Sequence, residues 1–182
     1  MLLEHGYSGA STVRIQTRAG VSRGRLLHHF GSRDLLLVAA AHHLARERIG
    51  VLPVDHAWPT DPGERIDAVI DSVAATFEQD YFWAVTELWI AARTNGALQS
   101  ALLEGEQELA REIRSGLCVL FGPDLAAHRD YRAVTEVIFT SLRGMALTRA
   151  FDRRGSPSRR HLDHVKRVAR QVLLNAPDAV ER

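Results

Sequence analysis

Residues 12–30 read TVRIQTRAGVSRGRLLHHF, and this stretch decides the fold of the amino-terminal part of the chain. Its pattern predicts a short helix, a sharp turn at Gly20 and a second short helix. Ser11 or Thr12 can cap the first helix and Ser22 the second, because side-chain hydroxyl oxygens accept hydrogen bonds from unpaired backbone amides. Gly20 is expected to take a positive φ angle, which glycine adopts without steric cost.

Each of the two short helices has an apolar and a polar side. The residues expected to pack the helices against a core are Val13, Ile15, Ala19, Leu26, Leu27 and Phe30. The residues that remain outward on the second helix are Arg23, Gly24, Arg25, His28 and His29. This outward set carries hydrogen-bond donors and no acid, which suits insertion into the major groove of DNA.

The run AGVSRGRLLHHFGSRDLL (residues 19–36) closely resembles the DNA-binding signature of the TetR family of bacterial regulators. The preceding run LLEHGYSGAST (residues 2–12) is similar to the family's exit from its first helix and entry into its second. The resemblance implies an all-α fold. It places a helix-turn-helix DNA-binding head at residues 1–50 and a helical ligand-binding and dimerisation domain at residues 51–182.

Two features depart from the family's pattern. Leu27 stands where the family usually has a tyrosine that touches a phosphate, so neighbouring residues are expected to anchor the DNA backbone. Only residues 1–5 precede Gly6, whereas the family has a full first helix there. Three explanations stay open: the chain as given is shortened, its start codon was placed inside the gene, or the protein is impaired for DNA binding.

The beginning of the second helix is the predicted DNA-reading site. Ser22, Arg23 and Arg25 lie where the helix dipole and unpaired amides attract phosphate. Either arginine could form two hydrogen bonds with a guanine edge. Gly24 has no side chain to hold the helix away from the groove, although it could equally be a tolerated glycine at a helix start.

Further DNA contacts are expected on both sides of this site. His28 and His29 can donate to a phosphate or a base, although His29 could instead pack beside the next residue. The resemblance implies that Thr12 and Arg14 touch the DNA backbone. It also implies that Arg33, in the family's usual lysine position, binds another phosphate.

The distribution of charge fits a DNA-binding head. The 182 residues carry a net charge of only +1, but residues 1–50 hold seven basic and three acidic side chains. A basic front on a mildly acidic body suits a small phosphate-binding head on a neutral scaffold. The sequence has no signal peptide and no run of about 20 apolar residues, so we expect a soluble, cytoplasmic protein without membrane contact.

The rest of the chain predicts a bundle of about six helices, because strand signals are missing and apolar residues recur at helical spacing. The clearest apolar stripe comprises Ile66, Val69, Ile70, Val73, Ala74 and Phe77. Residues 52–63 contain three prolines and predict a linker, and residues 152–158 predict a loop. By resemblance, the last two helices, at residues 131–152 and 158–175, form a homodimer by packing as a four-helix bundle.

A small-molecule cavity in this bundle is implied by the resemblance. Ligand binding there would change the separation of the two heads, and with it the operator affinity, through differential binding to two states. The candidate lining residues are Phe77, Trp83, Glu87, Trp89 and Arg93. No sequence feature identifies the inducer.

Residues for catalysis or metal binding form no recognisable set. The sequence has no nucleophile elbow, no phosphate-cradling glycine loop and no zinc-protease pair, so neither an enzyme activity nor a cofactor is predicted. His161 and His164 could share a helix face, but solvated surface histidines are the default interpretation. Cys118 is expected to be a small core residue.

The predicted function is therefore a ligand-responsive transcriptional regulator, by the family's habit a repressor. It would bind a palindromic operator in double-stranded DNA as a homodimer and be released by a small-molecule inducer. Two alternatives stay open. One is an enzyme or carrier built on the helical bundle, and the other is a dimerising protein that cannot bind DNA.

Overall fold

The computed structural model describes residues 1–50, 58–151 and 156–175, with side chains described for all of these except residues 48–50 and 156–158. Every regular element within those ranges is a helix, which confirms the predicted all-α fold. In chain order the helices are α1 (Leu2–Gly9), α2 (Thr12–Ala19), α3 (Arg23–Phe30), α4 (Arg33–Gly50), α5 (Pro62–Thr76), α6 (Asp80–Ala92), α7 (Gly96–Phe121), α8 (Pro123–Ala126), α9 (Tyr131–Thr148) and α10 (Ser156–Leu174).

Side-chain caps and a glycine turn separate the short helices. The Ser11 hydroxyl accepts a hydrogen bond from the Arg14 amide (3.4 Å), so the first of the two candidate residues caps α2. The Ser22 hydroxyl caps α3 by accepting from the Arg25 amide (3.2 Å). Gly20 has φ 66° and ψ 28°, the left-handed conformation that commonly ends a helix. The predictions for Ser22 and Gly20 are confirmed.

Gly6 interrupts α1, because its φ of 62° and ψ of −179° lie outside the helical region. One helical turn precedes this break, and a second turn runs up to Gly9. The dihedral angles at Gly6 are accessible to glycine and strained for other residues.

The packing side of α2 is narrower than the sequence predicts. Ile15 is half-buried against the core, but Val13 is 60% exposed and Ala19 is exposed, so the predicted packing of these last two residues was wrong. Val13 lies about 160° around the helix from Ile15, since each residue advances by about 100°. Ala19 is the last residue of α2. The three predicted packing residues of α3 are buried or half-buried, as expected.

The chain divides into two compact units, and α6 belongs with the amino-terminal helices. The first unit comprises Met1–Leu52 and Gln79–Arg114. In this unit α1 and α4 pack against α6, and their shared core contains Leu37, Val38 and Leu88. The predicted division of the chain at residue 50 stays a prediction, since compact units describe packing and not function.

The second unit comprises Pro53–Glu78 and Ser115–Arg182. Asp61 caps α5 by accepting a hydrogen bond from the Glu64 amide (2.8 Å). The predicted apolar stripe of this region is buried except for Ala74, which is half-buried. In this unit α5 packs on α9 and α10, which also pack on each other. Residues 52–57 of the predicted linker, residues 152–155 of the predicted loop, and the end of the first dimer helix at Asp152 lie outside the described residues.

Cys118 is exposed, so the prediction that it is a core residue was wrong. Leu117, Leu120 and Phe121 share the buried side of α7 in this region. Cys118 lies about 100° around the helix from its buried neighbour Leu117, beside the buried side of the helix and not within it. None of the described helices is both long and apolar enough to cross a membrane.

A glycine of α7 makes room for a histidine of α4 in the first unit. The His42 side chain is buried, at 7% exposure, and its ring lies directly over Gly105. A Cβ atom at Gly105 would overlap two atoms of that ring. Any larger residue at this position must therefore displace His42 or move α4 away from α7.

We expect Gly105→Ala to lower the free energy of unfolding by about 1–3 kcal/mol, the usual cost of overpacking a buried site. Urea unfolding followed by circular dichroism measures this change. Gly24→Ala is the matched control, since a Cβ at Gly24 meets no heavy atom within 4 Å and only improves helix propensity. If Gly105→Ala lowers the free energy of unfolding as much in a His42→Ala background as in the wild type, overlap with the His42 ring is not the cause.

Candidate nucleic-acid interface

The outward side of α3 carries the residues predicted to read DNA. Arg23, Gly24, Arg25, His28 and His29 are all exposed, as the sequence predicts. The first turn of α3 contains no acid, so the positive partial charge of its amides is not neutralised locally. This surface presents arginine and histidine donors beside a helix N-terminus, an arrangement that suits phosphates and base edges.

The residues predicted to touch the DNA backbone lie at the starts of α2 and α3. Thr12 is half-buried at the first position of α2, and Ser22 is exposed and uses its hydroxyl oxygen as the cap of α3. Arg14 is exposed, and its Nη1 donates to the Gly9 carbonyl (3.2 Å). That contact tethers the guanidinium near the amino end of α2 while leaving further donors on the same group.

Two neighbouring aromatic rings define the far end of α3. The His29 ring lies edge to face with Phe30, with ring centroids 4.7 Å apart. The packing role left open for His29 is therefore present. Because His29 is also exposed, this packing does not remove its predicted role in DNA contact.

Arg18 forms an ion pair with Glu4, so one basic side chain of α2 is neutralised within the head. The hydrogen bond from Arg18 lowers the pKa of the Glu4 carboxyl, which the charge of Arg18 and the terminal amine lower further. Both side chains are exposed to solvent. The pair therefore removes charge from the basic surface without belonging to a core.

Arg33 is held by the protein on several sides. Its Nε donates to the Ala10 carbonyl (2.8 Å), Nη2 donates to the Tyr7 carbonyl, and Nη1 donates to the Asp34 carboxylate (3.3 Å). The guanidinium also stacks on the Tyr7 ring, 4.3 Å from its centroid. The side chain is 24% exposed. Three of the five N–H groups are thus used, and the predicted phosphate contact depends on the other two.

Arg33 belongs to a polar cluster in which residues of α1, α4 and α6 and the residue before α7 meet. We call it the Tyr7 cluster; its members are Tyr7, Arg33, Asp34, Glu87 and Asn95. Glu87 Oε2 accepts the Tyr7 backbone N–H (2.9 Å), and the Tyr7 hydroxyl donates to Asp34 (2.9 Å). Asn95 Nδ2 donates to the Tyr7 hydroxyl oxygen (3.0 Å) and to Asp34 (3.2 Å). Tyr7, Asp34 and Asn95 could not be predicted from the sequence as members of a site, because partners as many as 88 residues apart leave no local signal.

Asn95 has a second role at the beginning of α7. Its Oδ1 accepts a hydrogen bond from the Leu98 amide (3.1 Å), which is the contact of a helix cap. The two ends of one side-chain amide therefore bind different partners. The oxygen binds the first turn of α7, and the nitrogen binds the Tyr7 cluster.

The five predicted ligand-binding residues are divided between the two compact units. Phe77 follows α5 in the second unit, where it is buried and lies edge to face with Phe139, with ring centroids 5.5 Å apart. The other four candidates lie on α6 or directly after it, in the first unit. Their grouping as one site therefore stays a prediction.

The four candidates in the first unit fall on two sides of α6. Trp83 and Glu87 are one turn apart on one side, and Trp89 and Arg93 are one turn apart on another. Trp83 is half-buried and edge to face with Phe82 (5.3 Å between centroids), whereas Trp89 packs against the core of the first unit. Arg93 is exposed. The structure thus brings Trp83 and Glu87 together and separates them from the other pair.

Among the described residues, no three histidine, cysteine, aspartate or glutamate side chains come close enough together to hold a metal ion. His161 and His164 are both exposed on α10. This histidine pair therefore lies at the solvated surface.

We expect Arg33→Lys to lower the free energy of unfolding by about 1–3 kcal/mol in urea unfolding. Lysine keeps the charge but cannot reproduce a planar group that bonds Ala10, Tyr7 and Asp34 at once. If Arg33 also binds a phosphate, lysine retains much of that contact, so DNA affinity falls less than in Arg33→Ala. Equal stability of Arg33→Lys and the wild type would contradict the structural role.

Comparison with known proteins agrees with this geometry. Residues 1–40 match the family model described as bacterial regulatory proteins, tetR family. The chain is 30% identical over 134 residues to the HTH-type transcriptional regulator BetI of Burkholderia thailandensis, a match that covers 72% of this chain and 67% of that protein. For BetI of Burkholderia mallei the identity is 29% over 134 residues (72% and 67% covered), and for BetI of Burkholderia ambifaria it is 30% over 135 residues (72% and 68%). No solved structure matches the chain. The chain therefore belongs to the TetR family of DNA-binding transcriptional regulators.

Proposed function

We propose that this protein is a repressor that binds a palindromic operator as a homodimer and leaves it when a small-molecule inducer binds. The observation that carries the proposal is the outward side of α3, where two arginines and two histidines are exposed beside a capped helix start without an acid. Family membership supports DNA as the partner. In this proposal the protein is a regulator and has no catalytic role.

Base reading is assigned to the start of α3. Arg23 and Arg25 have the planar donor pairs that match the O6 and N7 acceptors of guanine. Gly24 lies between them in an open space, since a Cβ there would meet no protein atom within 4 Å. Phosphate contacts are assigned to Thr12, Arg14, Ser22, His28, His29 and the two unused N–H groups of Arg33.

We expect Arg25→Ala to weaken specific operator binding by about 1–3 kcal/mol, because a bidentate base contact is lost. Fluorescence anisotropy on a fragment from the region upstream of the gene measures the change, with a scrambled fragment for non-specific binding. Arg111→Ala is the matched control, since it removes the same charge from an exposed position on α7. An equal loss on both fragments would make Arg25 a phosphate contact instead of a base reader.

The same assay distinguishes the proposed function from its alternatives. Selective binding that weakens steeply with salt supports the regulator. A folded dimer that binds no fragment would favour the DNA-incompetent protein. Turnover of a small molecule, or tight ligand binding without any effect on DNA, would favour an enzyme or carrier.

Dimerisation is supported by an exposed stripe on α9. Its positions alternate at spacings of four and three residues, the spacing that keeps side chains on one face of a helix. The stripe comprises Ala133, Val137, Thr140, Gly144 and Leu147, with Phe151 just beyond the helix, all of them exposed. On α10, Val168 and Leu174 are exposed as well. These two helices are the ones that the family likeness assigns to the homodimer, so the second copy of the chain is the proposed cover.

We expect Val137→Glu to dissociate the dimer, because an unpaired charge in an apolar interface must be desolvated. Sedimentation velocity measures the change in mass. Val119→Glu is the control, since Val119 on α7 is 57% exposed, nearly the same as the 58% of Val137. A monomeric wild type, or equal dissociation of both variants, would refute this interface.

The inducer is proposed to act on α6. Support comes from Trp83 and Glu87, which share one side of α6, and from the packing of that helix against α1 and α4 of the head. A ligand can lower operator affinity only by as much as it favours the state with the weaker DNA contact. Because α6 shares a core with the head, a ligand that contacts α6 can bind one arrangement of the head more tightly than another.

A further inference from the structure

Apart from Arg33, the Tyr7 cluster lies outside the residues assigned to DNA contact. We propose that Glu87 is a positioning residue for DNA binding: its carboxylate holds residues 7–10, the last turn of α1 and the residue after it, on α6, and operator affinity depends on this bond. The inference rests on the proposed function in one respect, namely that the operator is the ligand whose binding is measured.

The bond to Glu87 exists because of the break at Gly6. In an uninterrupted helix the Tyr7 N–H would donate to the carbonyl four residues earlier. The positive φ of Gly6 ends that pattern, and the Tyr7 N–H donates to Glu87 Oε2 at 2.9 Å. The fit is close, since a Cβ at Gly6 would lie 3.0 Å from the same oxygen. A carboxylate thus satisfies an amide that the helix leaves unpaired.

The segment that Glu87 binds leads directly into α2. Arg33 at the start of α4 binds the Tyr7 and Ala10 carbonyls of this segment, so it is held by α6 through Glu87 and by α4 through Arg33. Because α2 begins at Thr12 and the turn at Gly20 joins α2 to α3, the placement of the reading helix follows from this segment.

The role of Glu87 differs from ordinary core packing because its hydrogen bond has a preferred direction. The apolar core of this unit, which includes Leu88 and Leu2, is buried and contributes most of the free energy of packing. Apolar contacts have no preferred angle, whereas a hydrogen bond to a carboxylate fixes both distance and direction. Loss of the Glu87 carboxylate is therefore expected to change the position of the segment more than the stability of the unit.

We expect Glu87→Ala to weaken operator binding about tenfold, the size expected for one hydrogen bond to a charged group. Affinity is measured by fluorescence anisotropy at a temperature where circular dichroism finds both proteins folded. No phosphate contact is removed, so the slope of log Kd against log salt concentration is expected to stay that of the wild type. Glu87→Gln keeps an oxygen acceptor and is expected to recover most of the affinity. Glu104→Ala, which removes an exposed carboxylate from α7, is the control and is expected to bind like the wild type.

A second measurement tests the hydrogen bond between the Tyr7 amide and Glu87 in the absence of DNA. Labelling with ¹⁵N-tyrosine gives three backbone amide signals, because the chain has three tyrosines. In Glu87→Ala the Tyr7 amide is expected to exchange with solvent about tenfold faster. The Tyr131 amide, which donates to the His128 carbonyl (2.9 Å), is the internal control and is expected to be unchanged.

The outcomes separate the two proposals. Operator affinity of Glu87→Ala equal to the wild type, or a changed salt slope, would overturn the positioning role. Equal exchange of the Tyr7 amide would overturn the bond itself. A wild-type protein that binds no DNA would instead overturn the proposed function, and the exchange of the Tyr7 amide would still decide whether Glu87 holds this segment.

Discussion

The guanidinium of Arg33 joins the start of α4 to carbonyls just before α2, which lie 23 and 26 residues earlier in the chain. It bonds the Tyr7 and Ala10 carbonyls before α2 and stacks on the Tyr7 ring, while its own backbone begins α4. Helices of eight residues are too short to be stable alone, so α2 and α3 depend on such tertiary contacts. A planar group with five donors can serve several carbonyls at once, which a lysine in the same position cannot do.

The helices of the head do not form a hydrophobic core by themselves. They share one core with α6 and the first part of α7, although α6 follows the head by some thirty residues in sequence. The proposed inducer contact and the proposed positioning residue are both on α6. In the proposed regulator the two sites need no long pathway of contacts between them, because the helix that would bind the ligand also carries Glu87, which binds the Tyr7 amide.

Local features of the head could be predicted from the sequence, whereas partners distant in sequence could not. Ser22, Gly20 and the exposed side of α3 follow from capping, backbone sterics and helical spacing within a few residues. The prediction that Val13 packs against a core was wrong, because one apolar residue in an eight-residue helix does not indicate which side of the helix is buried.

The ligand candidates show the same limit. The family resemblance implied one cavity for Glu87 and Trp89, but it did not indicate that Glu87 binds the Tyr7 amide or that Trp89 packs on another side of α6. The partner of Glu87 lies 80 residues earlier in the chain, so only the folded arrangement could show this contact. The resemblance to a family supplied the fold class, but it carried no information about these particular contacts.

The Asn95 side chain bonds both the first turn of α7 and the Tyr7 cluster, and these two local structures would otherwise open separately. The first turn of a helix ordinarily frays by itself, since few bonds hold it. Here the amide oxygen that caps α7 belongs to the same planar group as the nitrogen that binds Tyr7 and Asp34. Displacing the Asn95 side chain therefore breaks the cap of α7 and the contacts to α1 and α4 in the same step, so one uncharged side chain links the opening of these separate stretches of backbone.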